Sequence, residues 1–294
     1  MSDEAVFDVI AILGVGLIGG SLGMAARERG LTRRVIGIGR NEARLDRALQ
    51  LKAIDSYTLD RTAGVAEADL VVVCTPVLDI VPAIAGFAGS LKPGAVVTDV
   101  GSTKTEVVTG AEAALPKGPH FVGGHPMAGS EASGVDAARP DLFENAAYIF
   151  TPTDNTNLQA MKKMLRFAKA IGARTLVMSP EEHDYAAALI SHVPHVLAAA
   201  SLAIANEAEQ ERPGDVFSIA AGSFRDLTRV AASSPALWRD ICLSNREAVL
   251  TALLRLEKEL AAMREVISSG DPGAVEDLFK RARELREILN RSKE

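Results

Sequence analysis

Aromatic residues, cysteines and clusters of positive charge are all scarce in this chain of 294 residues. Aromatics make up 4% of the sequence and hydrophobic residues 48%, so the core is aliphatic, which suits buried parallel strands and packed helices better than a small β-sandwich. The only two cysteines, Cys74 and Cys242, lie far apart, which favours free thiols in a reducing, cytoplasmic compartment. The net charge of −6 includes no dense basic stripe, so we expect no nucleic-acid partner.

Two apolar segments have features of membrane signals. The stretch from Val9 onward follows acidic residues, whereas a secretory leader is basic. The stretch 185–206 has no formal charge and is long enough to span a bilayer. Polar groups are costly in lipid, and this stretch carries Ser191, His192, Pro194, His195 and Ser201. We therefore interpret it as the buried helix of a soluble domain, with no membrane partner.

Short β-branched runs alternate with helical segments through the first half of the chain. The predicted strands are 9–13, 34–38, 69–74, 95–100, 120–123, 147–151 and 174–178, and the predicted helices include 21–29, 41–51 and 158–171. This order predicts an α/β fold with an N-terminal Rossmann-type, doubly wound parallel sheet. Nearly everything after Ser179 has a helical pattern, so we place a domain boundary there. The all-helical C-terminal domain is then 180–294, following a first domain of 1–179.

The last two predicted helices are periodic. Apolar residues recur at steps of three and four before and after a turn at 270–273, at Val249, Leu253, Leu256, Leu260 and Met263 and then at Val275, Leu278, Ala282, Leu285 and Leu289. Such a/d seams pack on each other or on a partner chain. A helical hairpin on its own domain and a homodimer through the helical domain explain the pattern about equally well.

A glycine-rich segment follows the first predicted strand. Gly14, Gly16 and Gly19 are spaced as G-x-G-x-x-G, with Leu17 and Ile18 between them, and the next helix is expected from Ser21. In a βαβ context this spacing indicates a dinucleotide site, where the glycines allow a tight turn, close approach of a pyrophosphate and helix-to-strand contact. The N-terminus of the helix offers free N–H groups to the phosphates.

The end of the second predicted strand bears on which dinucleotide binds. An NAD site usually has an acidic residue there, but this chain has Gly39 followed by Arg40. A guanidinium suits a 2′-phosphate, so we favour NADP over NAD, although Arg40 is also explained as a solvated surface charge. Thr75 and Pro76 end another buried strand and are expected to contact the cofactor or to form a plain strand-to-helix turn.

Three further clusters carry chemistry: Asp99 to Lys104 (DVGSTK), Gly123 to Glu131 (GGHPMAGSE) and Ser191 to His195 (SHVPH). Together with the glycine segment and the run GSFRDLTR at 222–229, the chain resembles the prephenate/arogenate dehydrogenase family of tyrosine biosynthesis along nearly its whole length. The resemblance implies an NAD(P)-dependent oxidative decarboxylation of prephenate to 4-hydroxyphenylpyruvate, or alternatively of arogenate to tyrosine. We therefore expect domain 1–179 to bind NAD(P), and domain 180–294 to bind substrate and to dimerise through its apolar seams.

The resemblance also assigns residues to the reaction. It makes His125 the histidine that polarises the substrate hydroxyl, a role that suits an imidazole. Ser102 is expected to hydrogen-bond the same region, and His195 is the family's second active-site histidine. Residues expected to bind or admit substrate are Arg229, whose fork of donors grips a carboxylate, Glu131, His192 and Trp238.

Each of these residues also has a purely structural explanation. His125 is explained as the cap of a turn, His192 as a buried core histidine and Arg229 as an ion-pair partner of Asp226. Glu131 is explained as a carboxylate at the start of a helix, and Trp238 as a core residue. Arg225 competes with Arg229 for its role. His192 and His195 have metal-ligand spacing, but no third ligand is evident, so no metal site is predicted.

Two other functions stay open at this point. A hydroxyacid or imine reductase is disfavoured because no Lys and Asn pair four residues apart lies near Gly222. A non-catalytic NAD(P) sensor explains the glycines and the seams but not the histidines. We also expect no fused chorismate mutase before the dinucleotide fold and no regulatory domain after Met263, so that feedback inhibition by tyrosine, if present, acts at the active site.

Overall fold

The computed structural model of this chain describes residues 5–129 and 132–291. Its strands are β1 (Val9–Leu13), β2 (Arg34–Ile38), β3 (Ser56–Thr58), β4 (Leu70–Val73), β5 (Val96–Asp99), β6 (His120–Pro126), β7 (Ala147–Thr151) and β8 (Arg174–Val177). The helices of the sheet region are α1 (Leu17–Glu28), α2 (Glu42–Gln50), α3 (Arg61–Val65), α4 (Val77–Phe87), α5 (Thr105–Ala114) and α6 (Leu158–Ala170). The later helices are α7 (Pro180–Ala187), α8 (Val193–Glu211), α9 (Gly222–Thr228), α10 (Pro235–Ser244), α11 (Arg246–Ser268) and α12 (Pro272–Arg291).

The eight strands form one sheet in the order β3-β2-β1-β4-β5-β6-β7-β8. The first six are parallel and follow the Rossmann order, which confirms the predicted doubly wound sheet. β7 is antiparallel to β6, and β8 is parallel to β7, so the whole sheet is mixed. The sequence did not predict β3, because this three-residue edge strand has no apolar run of its own.

The sheet is covered on both faces. All five residues of β1 are buried; Ile10 and Ile12 join one apolar cluster, and Ala11 and Leu13 join another. The first cluster includes residues of α1 and α6, and the second includes residues of α4 and α5. Since successive side chains of a strand point to opposite faces, the aliphatic β1 supplies both cores at once.

The apolar stretch expected as a single buried helix is helical throughout Pro180–Glu211, with a π-helical turn, Ala188–His192, between α7 and α8. Pro194 has no N–H to donate, and the π turn ends two residues before it. Within the described residues this is the one helix long and apolar enough to span a membrane, judged by length and composition alone.

The prediction that this helix is buried is wrong for the single chain, because only 28% of its most apolar 18-residue window is buried. α8 contacts α9 and the 3-10 turn Arg229–Ala232, and these short elements leave much of its surface uncovered. Ile190 and Ile204 are each 68% exposed.

The chain forms two compact units, one reaching to Arg246 and one starting at Glu247; the boundary near residue 180 stays a prediction. In the second unit, α11 and α12 are joined by a turn in which Gly270 has a φ of +64°. The predicted seams are uncovered along much of both helices, since Leu260, Leu285 and Leu289 are 48%, 65% and 50% exposed. The single chain therefore leaves an apolar surface on this helix pair.

Candidate active site

Four predicted site residues come together because of the strand order. Gly14 follows β1, Thr75 follows β4 and Ser102 follows β5, while His125 is the last residue but one of β6. These strands are parallel neighbours in the order β1-β4-β5-β6, so their carboxyl ends share one edge of the sheet. At the usual strand spacing, the row from β1 to β6 spans about 14 Å. This is the edge where doubly wound sheets bind ligands.

The glycine segment has the geometry of a phosphate-binding turn. Gly14 has a φ of +93°, a conformation that favours glycine. A Cβ on Gly19 would lie 2.4 Å from the carbonyl oxygen of Gly14, whereas one on Gly16 would meet nothing within 4 Å. α1 begins at Leu17, one turn earlier than the predicted start at Ser21. Gly16 provides no side-chain cap, which leaves the first N–H groups of α1 available for an anion.

A cleft of about 1080 Å³ lies beside this turn. Of the predicted cofactor residues, Gly14, Gly16, Arg40, Thr75 and Pro76 line the cleft, whereas Leu17, Ile18 and Gly19 do not. The Oγ1 of Thr75 is buried without a hydrogen-bond partner among the described residues. A buried hydroxyl of this kind calls for a bound group or an ordered water, so the cleft is chemically suited to a polar ligand.

The cleft is rich in arginine at its β2 side. Gly39 and Arg40, on which the predicted cofactor preference depends, line it together with Arg44, Arg47 and Arg61. The Nε of Arg47 donates to Asp136 at 2.7 Å, so its charge is already partly balanced. The sequence reasoning missed Arg44, Arg47 and Arg61, although Arg44 lies only four residues after Arg40.

His125 is the first of three buried side chains linked by hydrogen bonds. Its Nδ1 lies 2.8 Å from Nε2 of His183, and Nδ1 of His183 lies 2.8 Å from Oδ1 of Asp184. The carboxylate of Asp184 also accepts from the backbone N–H groups of Lys104 and Thr105, at 2.7 and 2.9 Å. Burial raises the pKa of this carboxyl, but the hydrogen bonds, that of His183 first, outweigh burial and leave the pKa below its ordinary value.

The imidazole of His125 is held neutral. Burial lowers its pKa well below the ordinary 6.5, and repulsion from His183, Lys104 and His192 lowers it further. Its Nε2 has no hydrogen-bond partner in the described part of the chain. A neutral imidazole with one free nitrogen is a proton acceptor or donor, which argues against a purely turn-capping role.

A fully buried ion pair lies next to this chain of side chains. Lys104 pairs with Asp99, and its Nζ also donates to the carbonyl of Gly124 at 3.0 Å. Asp99 accepts in addition from the backbone N–H groups of Gly101 and Gly124, at 2.8 and 3.1 Å. Burial lowers the pKa of Lys104, although Asp99 opposes that change. The pair ties the loop after β5 to the residue that precedes His125.

The helical segment after α7 brings two more histidines to a tryptophan. The ring centroids of His195 and Trp238 are 3.6 Å apart, and those of His192 and Trp238 are 6.0 Å apart. Asn245 donates to Nδ1 of His192 at 3.2 Å, which places the proton of the neutral ring on Nε2. Burial lowers the pKa of His192 to about 4 and also lowers that of His195.

Two donors in this group lack acceptors. Nε2 of His192 and Nε1 of Trp238 are buried without hydrogen-bond partners among the described residues. Buried polar atoms in folded proteins are nearly always paired. A bound acceptor such as a carboxylate would satisfy both.

The remaining predicted residues are less well defined. Ser102 is half-buried in the loop between β5 and α5, and its side chain makes no hydrogen bond in the described part of the chain. Arg229 is exposed at the start of the turn against α8, while Nε of its competitor Arg225 donates to the carbonyl of Ala220 at 3.1 Å. Glu131 lies outside the described residues. The roles assigned to these side chains stay predictions.

The sequence reasoning did not single out His183 and Asp184. They directly follow a capping box in which Ser179 and Glu182 satisfy each other's backbone groups, and they resemble an ordinary polar start of a helix. The available signal was that the chain has only five histidines, of which His120 and His183 were assigned no role.

Comparison with known proteins places these features in a family. A sequence model described as the nucleotide-binding domain of prephenate dehydrogenase matches residues 22–177, and one described as its dimerization domain matches residues 179–284. Prephenate dehydrogenase of Bacillus subtilis is 41% identical over 283 residues, which cover 96% of this chain and 76% of that protein. Cyclohexadienyl dehydrogenase of Zymomonas mobilis is 38% identical over 285 residues, 97% of each protein.

A solved structure is similar over the same length. The crystal structure of prephenate dehydrogenase from Aquifex aeolicus, in complex with hydroxyphenyl propionate and NAD+, aligns with a TM-score of 0.90. The two chains are 34% identical, and the alignment covers 96% of this chain and 98% of the other. The resemblance read from the sequence motifs is confirmed.

Proposed function

The chain belongs to the prephenate dehydrogenase family, and we propose that it converts prephenate to 4-hydroxyphenylpyruvate in tyrosine biosynthesis. By family it is an oxidoreductase that uses a nicotinamide dinucleotide. The observation that carries the proposal is the neutral, buried His125 at the sheet edge that also holds the glycine turn. The nicotinamide, when bound, supplies the hydride acceptor.

His125 acts on the substrate hydroxyl. As hydride leaves the ring carbon that bears this hydroxyl, Nε2 of His125 takes the hydroxyl proton. Carbon dioxide then leaves from the opposite carbon, and the ring becomes aromatic. Ser102, one loop away at the same edge, hydrogen-bonds the same oxygen.

The helical region holds the carboxylates and the ring. Arg229 grips one carboxylate with its fork of donors. His192, His195 and Trp238 line the substrate side, where the unpartnered Nε2 of His192 and Nε1 of Trp238 donate to substrate oxygens. Glu131 belongs at the entrance.

The cleft fits an NAD(P) dinucleotide. The turn at Gly14 and the open N-terminus of α1 accept the pyrophosphate, and Arg40, with Arg44 and Arg61 beside it, meets the adenosine ribose. With no carboxylate at Gly39 to bind a 2′-hydroxyl, this side of the cleft favours the 2′-phosphate of NADP.

The enzyme works as a homodimer in the cytoplasm. A second copy covers the apolar surface left on α8 and on the α11 and α12 seams, in keeping with the match to a dimerization domain. Both Cys74 and Cys242 are free, which suits a reducing compartment.

The deciding experiment is steady-state reduction of NAD+ and NADP+ with prephenate and with arogenate, in all four pairs. We expect the highest kcat/KM with prephenate and NADP+. Higher kcat/KM with arogenate would reassign the substrate, and a preference for NAD+ would overturn the arginine argument. Folded protein that binds the cofactor but turns over none of the pairs would point to a sensor.

Cofactor choice has its own variant. Arg40→Ser should lower the affinity for NADP+ by about tenfold, as expected for losing about 1.4 kcal/mol of a charge-assisted hydrogen bond, and change the affinity for NAD+ little. Arg47→Ser is the matched control, since Arg47 lines the same cleft but already pairs with Asp136. If Arg40→Ser and Arg47→Ser change the affinities for NADP+ and NAD+ equally, Arg40 does not contact the 2′-phosphate.

A further inference from the structure

His183 and Asp184 are buried side chains of α7, 1% and 5% exposed, that have no task in the mechanism so far. We propose that they form a relay behind His125. In this relay His183 sets the tautomer of His125, and it takes up the Nδ1 proton of His125 while substrate is oxidised. The proposal rests on the proposed function, because it specifies how the same imidazole works. His183 is a positioning residue in this scheme, since it acts through His125.

The direction of the hydrogen bonds follows from the acceptor at the end of the chain. Asp184 takes N–H groups from the backbone of Lys104 and Thr105, and an ionised carboxylate only accepts. Nδ1 of His183 must therefore be the donor to Asp184. In the proposed resting state the imidazole of His183 carries only this one proton, so its Nε2 accepts and Nδ1 of His125 is the donor in the 2.8 Å bond between the rings.

This direction leaves a lone pair on Nε2 of His125. In water a neutral imidazole exchanges its proton between both nitrogens, so a free His125 would often carry a proton on Nε2 and could not accept another there. The bond to His183 selects the tautomer that can take the hydroxyl proton. Asp184 is itself held rigidly, since Nδ2 of Asn245 donates to its carbonyl oxygen at 2.7 Å.

The proton balance of the reaction explains why the relay is closed to solvent. Hydride goes to the cofactor and the carboxylate leaves as carbon dioxide, while the product keeps its hydroxyl, so no net proton is released. The proton that Nε2 of His125 takes must return to the phenolic oxygen. While it is held, the Nδ1 proton of His125 moves onto Nε2 of His183, next to the negative charge of Asp184, and then moves back.

The first test measures the tautomer and needs no substrate. Nitrogen-15 NMR of the five histidines should show His125 protonated on Nδ1 in the wild-type protein, with slowly exchanging ring N–H protons on His125 and His183. In His183→Leu, the proton of His125 should redistribute toward Nε2. His120→Gln is the matched control, because His120 starts the same strand at the opposite edge of the sheet, and it should leave the His125 signals unchanged.

The second test separates setting the tautomer from holding the proton. The side-chain oxygen of His183→Gln still accepts from Nδ1 of His125 but takes no proton. We expect the single-turnover rate of hydride transfer to fall about 100-fold or more in His183→Leu, the cost of a wrong tautomer, and about tenfold in His183→Gln. Cofactor affinity and the thermal unfolding midpoint of His183→Gln should match the wild type.

A proton inventory completes the test. The hydride-transfer rate plotted against deuterium content should curve in the wild type, where two protons move, and be linear in His183→Gln, where one moves. An unchanged His125 tautomer in His183→Leu would overturn the relay, even if the rate falls, since that result marks a merely structural role. An unchanged inventory in His183→Gln would remove the proton-holding step. Inactive wild-type protein would overturn the proposed function, while the tautomer measurement would still decide the geometry.

Discussion

The cofactor cleft and the histidine site lie on one sheet edge but are built in opposite ways. The cleft uses the backbone of consecutive residues, from Gly14 to Gly16, and side chains on its rim. The histidine site uses side chains from β6, α7, the π-helical turn, α8 and α10, and His125, His183 and Asp184 are hydrogen-bonded in a row. The cleft keeps its N–H groups open for a ligand, whereas the histidine site fixes protonation states before a ligand arrives.

The two sites also treat charge differently. The arginines of the cleft are charges near solvent, and their electrostatic interactions are screened. In the histidine site burial is the first cause of the low pKa values of His125, His192 and His195. Substitutions in the histidine site should therefore have the larger effects.

The largest effect is expected for His125→Asn. An amide cannot take the hydroxyl proton, so kcat should fall by roughly 10²- to 10⁴-fold, while the Kd for the cofactor stays within about twofold of the wild type, the range expected for a site whose binding groups are untouched. Steady-state kinetics and calorimetry measure the two quantities. A variant that keeps a tenth of the wild-type kcat would remove His125 from the chemistry.

The buried charge next to His125 should matter almost as much. Lys104→Met leaves Asp99 buried without its cation, and breaking a buried pair in this way costs about 3–5 kcal/mol in the free energy of unfolding. Lys92→Met is the control, since the Lys92–Asp69 pair is partly exposed and its loss should cost less than about 1 kcal/mol. Urea unfolding measures both, and equal costs would refute the contrast between exposed and buried charges.

Acid should destabilise the fold through the histidine site. His192 has a pKa of about 4 in the fold against an ordinary 6.5, so the unfolded chain binds more protons between these values. Its contribution to the free energy of unfolding is fully present above about pH 6.5 and is lost as the pH falls toward 4. The total loss is about 3 kcal/mol. Unfolding free energies measured across this range should fall less steeply in His192→Asn, and an identical slope would contradict the assignment.

The smallest effects are expected in the cleft. Gly19→Ala forces the backbone at Gly14 to move, so we expect a loss of about 1–3 kcal/mol of stability together with weaker cofactor binding. Gly16→Ala has room for its Cβ and should weaken cofactor binding alone, because the methyl group stands where a pyrophosphate approaches. If Gly16→Ala loses as much stability as Gly19→Ala, the glycines serve packing only.

The difference between the sites also explains which features could be predicted. The glycine spacing and the apolar strands are local patterns, so the sequence predicted the sheet, the turn at Gly14 and the helical second half. β3 was missed because its residues make a short edge with no pattern of their own. The long apolar helix was expected to be buried because composition does not tell which surfaces the folded chain leaves uncovered.

The family, and His125 as the candidate base, were identified by the resemblance of whole motifs to a known family. By itself the sequence also determined the doubly wound sheet and the dinucleotide turn. Periodicity and local spacing specify those features, since strand burial and backbone conformation depend on neighbouring residues. Only the tertiary structure decided that His183 stands behind His125, that Lys104 is buried against Asp99 and that His192 keeps an unpartnered nitrogen. These contacts join residues up to 58 positions apart, and chain packing alone sets the distances and the burial that fix their protonation.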